Sequence, residues 1–156
     1  MKRKLLLAAI ALVASAAVAV PLTAFAGDAH RLVIGIRYAV HPGTPLTGTG
    51  TWAACCAIND SGTASAVVNV TSTTGDYAMI EGTHTFESAL GSFTDHYRGT
   101  LGPLSSPRQI AAGHWEIVAG TGAYASARGD GSFTIVVDGT TGLATGIHEG
   151  HVTFSG

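Results

Sequence analysis

Glycine spacing is the strongest constraint on what this chain can fold into. Beyond Ala26, glycine recurs every few residues and separates short runs rich in Val, Ile, Thr, Phe, Tyr and Trp. All 21 glycines lie in that segment, about 16% of it against a usual ~7%. No stretch there sustains the i, i+3, i+4 spacing of an amphipathic helix, and there is no linker, low-complexity tail or repeat of fixed period. The pattern is that of one all-β domain with many tight turns.

Eight strands are expected: His30–Val40, Thr49–Ile58, Thr63–Ser72, Tyr77–Glu87, Ser92–Leu101, Gly113–Ala119, Gly131–Asp138 and Ile147–Phe154. Turn signals separate most of them: Pro42-Gly43, Asn59-Asp60-Ser61-Gly62, Thr74-Gly75-Asp76, Asp138-Gly139 and Thr141-Gly142. Leu101 to Gln109, with Gly102, Pro103 and Pro107, reads as the one longer connection. Eight short, evenly spaced strands suit a closed barrel or a sandwich. A barrel of about eight strands either fills with side chains or holds one small ligand.

Alternation sorts the strands into faces. Leu32, Ile34, Ile36, Tyr38 and Val40 form an inner face, as do Ala64, Ala66, Val68 and Val70. Ile80, His84 and Phe86 share a face, as do Phe93, Asp95, Tyr97 and Leu101, and His148, Val152 and Phe154. Small residues at Ala53, Ala57, Ala64 and Ala66 would leave room for a cavity.

The inward polar groups are Tyr38, His84, Asp95, Tyr97 and His148. A buried carboxylate is costly unless paired. Asp95 therefore calls for a donor such as His84 or Tyr97, which the adjacent antiparallel strand could supply. His84, Asp95 and Tyr97 are the candidate catalytic groups for general acid–base work. The alternative is a hydrogen-bonded structural plug.

The N-terminus reads as a secretory signal peptide. Lys2, Arg3 and Lys4 precede the uncharged run Leu5 to Val20, Pro21 breaks it, and Ala24-Phe25-Ala26 offers a cleavage site. The run is shorter than the ~20 apolar residues of a membrane span. Residues 1–26 are thus expected to be removed after Ala26, leaving 27–156 as a secreted barrel domain with no membrane insertion. That segment has no Lys, five Arg and ten acidic residues, a net charge of −5. Such a surface disfavours nucleic acid and anionic lipid.

Cys55 and Cys56 are adjacent. Neighbours on a strand point to opposite faces, so a bond between them needs a strained turn. The pair reads as two free thiols, one buried as a small hydrophobe. The outward one could bridge two copies into a homo-oligomer. Among the seven His, His148 and His151 have the closest spacing but fall on opposite faces of a strand, and no HxH or HExxH occurs, so neither a metal nor another cofactor is expected. Gly120-Thr121-Gly122-Ala123-Tyr124-Ala125 matches GxGxxA after a strand, but Gly129 and Gly131 stop the helix that a dinucleotide site requires.

The same glycine segment carries a resemblance. Trp115-Glu116-Ile117-Val118-Ala119-Gly120-Thr121-Gly122-Ala123-Tyr124-Ala125-Ser126-Ala127-Arg128-Gly129 resembles the GTGxFxxARG signature of dirigent proteins and the glycine-rich stretch of allene oxide cyclases. Gly82-Thr83-His84-Thr85-Phe86, Gly91-Ser92-Phe93 and Tyr97-Arg98-Gly99-Thr100-Leu101-Gly102 are similar to secreted bacterial members of that superfamily. The resemblance implies an eight-stranded antiparallel barrel of the calycin-like, allene oxide cyclase type. It implies either a barrel that binds a small apolar molecule or an isomerase or cyclase acting on a hydrophobic substrate. Gly120, Gly122 and Gly129 would be fold determinants, and Arg128 is the one matched residue with a ligand role. Tyr38 and His148, inward by alternation, are the other candidate ligand-binding residues. Ala123 departs from the acid that some dirigent proteins carry at that place.

Overall fold

The computed structural model describes residues 29–155. The expected leader and its cleavage site lie outside the described residues. Eight strands follow one another: β1 (His30–His41), β2 (Leu46–Cys56), β3 (Asp60–Thr74), β4 (Tyr77–Ser88), β5 (Gly91–Gly102), β6 (Arg108–Gly120), β7 (Ala127–Asp138) and β8 (Leu143–Phe154). Each pairs antiparallel with the next, and β8 pairs back onto β1, with His30 opposite Val152 and Ala39 opposite Leu143. That last pairing closes an up-and-down barrel and removes the sandwich alternative. Closure also leaves no free sheet edge.

Five strands start three or more residues earlier than expected: β2, β3, β6, β7 and β8. β6 begins at Arg108, β7 at Ala127 and β8 at Leu143, so Gly113 and Gly131 lie inside strands rather than at their starts, and Gly129 and Gly146 lie inside strands rather than before them. Their role is close approach. Gly131 pairs with Gly150, and a Cβ on Gly131 would sit 2.0 Å from the Glu149 carbonyl oxygen. Strands this tightly curved cannot admit a side chain there. The high glycine content therefore serves the bending of the barrel wall as much as its turns.

Alternation holds along β1, β4 and β5. Val70 departs from it and is 51% exposed. β2 stops pairing at Leu46 opposite Val68, and the β3–β4 register shifts between Val70 and Ser72, so Val70 lies past the rim. Ala53 also faces solvent, because Trp52 and Ala54 take the inner positions of β2. Cys55 and Cys56 are both exposed, which corrects the expectation that one is buried.

One end of the barrel is filled. Trp52 packs edge-on against Phe86 and Phe93, Phe86 stacks on Phe93, Phe93 meets Tyr124, and Ile58 is fully buried nearby. Tyr124 belongs to a single 3-10 turn, Gly122–Tyr124, between β6 and β7. Gly122 has φ +57°, which only glycine adopts at little cost, and a Cβ there would lie 2.4 Å from the Leu90 carbonyl oxygen. At the other end the inner face carries the small residues Gly48, Ala66, Ala111 and Ala144 among its larger side chains. Aromatic bulk at one end and small side chains at the other give the interior an open half.

Candidate functional site

His84 on β4 and Asp95 on β5 are direct register partners facing inward. The backbone N–H of His84 donates to Asp95 Oδ1 at 3.0 Å, and His84 Nδ1 lies 3.0 Å from the same oxygen. A carboxylate only accepts, so the proton of that second contact sits on Nδ1. His148 arrives from β8 across the barrel. Its Nε2 is 3.3 Å from His84 Nδ1 and 3.5 Å from Asp95 Oδ2, an ion-pair distance with no hydrogen bond to Oδ2. All three side chains are at most 2% exposed.

His148 Nδ1 is buried without a partner. Burial is the main cause that drives the His148 pKa down to about 3; the neighbouring His84 adds to this, and Asp95 opposes it. His148 is therefore a neutral imidazole at ordinary pH.

Stacking fixes the His84 ring. Tyr97 lies against it at 4.3 Å between centroids, Tyr38 lies nearly parallel at 5.7 Å, and His148 stands edge-on at 4.8 Å. Tyr97 does not bond Asp95. Its hydroxyl crosses β4 and donates to the Val67 carbonyl on β3 at 3.0 Å. Gly82 makes this path open, since a Cβ there would fall 2.8 Å from the Tyr97 hydroxyl. Burial, with Asp95 adding to it, raises the pKa of both tyrosines, so both keep their protons. The buried Tyr38 hydroxyl has no hydrogen-bond partner.

Above this cluster the open half of the barrel encloses a cavity of about 200 Å³. Tyr38, His84 and Tyr97 contribute to its wall, with Ile80, Phe133 and Ile135. Val40, Leu46, Val68, Leu101 and Val137, all half-buried, line it toward the end. Asp95 and His148 sit behind His84 and are not part of the wall.

The candidate residues thus separate into groups. His84, Asp95, Tyr97, Tyr38 and His148 come together in the interior. Arg128 is exposed on the outside of β7, where Ala127 and not Arg128 points inward, and its guanidinium donates to the Ala127 carbonyl at 2.7 Å. The direct contact of His148 with the pair was not anticipated. Its inward parity was visible, but which residue it meets depends on the width of the barrel. The sequence-based search for metal ligands weighed spacing along one strand only. Across the barrel, His84, Asp95 and His148 each offer a ligand atom within 4.8 Å of the others, the spacing of a set able to hold a metal ion. As they stand, hydrogen bonding already engages His84 Nδ1 and Asp95 Oδ1.

No family model matches this chain. Neither a curated protein nor a solved structure matches it.

Proposed function

We propose that the barrel binds a small apolar molecule, about the size of a single ring, that carries one hydrogen-bonding group. The observation that carries this reading is the cavity of about 200 Å³, lined mostly by apolar side chains with Tyr38, His84 and Tyr97 among them. An apolar cavity of about 150 Å³ is enough to hold benzene, whereas drug-sized ligands occupy roughly 300–1,000 Å³. The unpartnered Tyr38 hydroxyl gives the ligand's polar group a place to bond. The resemblance of Gly120–Gly129 to dirigent and allene oxide cyclase stretches supports the same use of the interior.

A titration of the purified barrel with p-cresol, followed by thermal melting, tests this. Saturation at 100-fold above Kd should stabilise the fold by about 2.7 kcal/mol. No shift in melting temperature with p-cresol, phenol or toluene would overturn the reading.

A second reading, an isomerase or cyclase, is favoured by one arrangement. His84 reaches the cavity wall with Asp95 bonded behind it, which is the layout of an oriented base. Holding a flexible apolar substrate in one shape would supply most of the rate. Export is proposed on the leader alone. N-terminal sequencing of protein from culture medium should begin at Gly27.

A further inference from the structure

β2 ends on Cys55 and Cys56. Neighbours on a regular strand project to opposite faces, but here they do not. Cys56 has φ +82° and is the one non-glycine residue with positive φ among the described residues. This left-handed step turns its side chain back onto that of Cys55. The two Sγ atoms lie 2.8 Å apart. Non-bonded carbons rest about 3.5–4.0 Å apart and sulfur is larger, whereas bonded sulfurs are about 2.0 Å apart. The pair is held closer than thiols in ordinary contact.

A backbone in this region is costly for a residue with a Cβ and persists only where something holds it. A thiol is a weak donor and a weak acceptor, so an S–H···S contact is a poor reason for that cost. A covalent bond is an adequate one. Neighbouring Cα atoms are about 3.8 Å apart, below the usual ~4.4–6.8 Å of a disulfide, so a bridge between adjacent cysteines requires such a turn. Both thiols are exposed, so a soluble oxidant can reach them.

We propose that Cys55 and Cys56 are a redox-modification site that closes a disulfide between the two neighbours when a small disulfide oxidant reaches them. One thiolate attacks a sulfur of the oxidant, forming a mixed disulfide and releasing one thiolate. The second protein thiolate then attacks the first cysteine's sulfur, forming the Cys55–Cys56 bond and expelling the other half of the oxidant. The protein loses two protons and two electrons, and the oxidant leaves as two thiols. The bond would fix the turn after β2. There Ala57 N–H donates to the Arg31 carbonyl at 2.9 Å, and Ile58 plugs the filled end.

The test uses the purified chain, reduced, freed of reductant and exposed to oxidised glutathione. It is then denatured, treated with N-ethylmaleimide and weighed intact. The wild type should be monomeric, lighter by two hydrogens and free of both adducts, and dithiothreitol should restore two maleimide adducts. Cys55→Ser and Cys56→Ser should each retain one glutathione, since neither has a neighbour to expel it. Wild-type protein that keeps two maleimide adducts, carries glutathione or runs as a disulfide-linked dimer would overturn the proposal.

Discussion

One oxygen of Asp95 holds His84 at two points: Oδ1 lies 3.0 Å from the His84 backbone nitrogen and 3.0 Å from its Nδ1. The first contact belongs to the sheet and the second to the site. The wall of the barrel and the orientation of the imidazole are therefore set by the same carboxylate. Tyr97 and Tyr38 both stack on the ring and hold its orientation beside the cavity. Asp95 makes no such contact with Tyr97, whose hydroxyl bonds Val67 instead.

Removing Asp95 should be severe. Asp95→Ala strips a buried group from two histidines and from a backbone N–H. Each buried donor left without its acceptor costs about 1–3 kcal/mol. Asp95→Asn keeps the shape and one acceptor and should cost less. Urea denaturation of the three proteins checks the order. A loss below about 1 kcal/mol in Asp95→Ala, a typical cost for one hydrogen bond, would show that the carboxylate holds nothing in place.

His148 should make the fold acid-sensitive. Its folded pKa is lowered to about 3, against about 6.5 for an unfolded imidazole. The unfolded chain thus binds a proton that the folded chain refuses. The contribution of this group is complete above pH 6.5 and is lost as pH falls from there toward 3. The slope approaches about 1.4 kcal/mol per pH unit within that window. The shifted carboxylates Asp60, Asp76 and Asp138 all move downward, so they act at the acid end of this range and below it. In His148→Phe the slope between pH 6 and 4 should flatten. An unchanged slope would place the sensitivity elsewhere.

Alternation carried most of what the sequence could tell. The eight strands, their order and the inward parity of Tyr38, His84, Asp95, Tyr97 and His148 follow from period-2 patterning. The pairing of His84 with Asp95 follows from adjacency across a short turn. Three things did not follow. The glycines at 129 and 146 read as lying outside strands because propensity treats glycine as a breaker, whereas barrel curvature uses it inside strands. The contact between His148 and His84 depends on distance across the lumen, which no local pattern encodes. The approach of Cys55 to Cys56 depends on one backbone angle at Cys56.

Gly131 tests the curvature argument. Gly131→Ala would drive a Cβ to 2.0 Å from the Glu149 carbonyl oxygen, and Gly150 opposite leaves no flexible side chain to move aside. The wall must shift, at a cost of about 1–3 kcal/mol. Gly35→Ala is the control, because its nearest neighbour would be the Ala53 carbonyl oxygen at an ordinary 3.7 Å. Denaturant midpoints should fall clearly for Gly131→Ala and little for Gly35→Ala. Equal effects would mean that glycine at 131 is not required by the approach of β7 to β8.

The cavity predicts a pair of opposite variants. Ala66 is buried on its wall, so Ala66→Phe fills the space and should abolish binding of both p-cresol and toluene. Tyr38→Phe removes only the hydroxyl that lacks a partner and leaves the cavity's shape nearly unchanged. It should weaken p-cresol by about five- to tenfold, the worth of one hydrogen bond of roughly 1 kcal/mol, and leave toluene unaffected. Calorimetric titration of both ligands against the wild type and the two variants reads the difference. Equal weakening of both ligands in Tyr38→Phe would show that the hydroxyl shapes the cavity rather than recognises a polar group. Undiminished binding in Ala66→Phe would place the ligand outside the barrel.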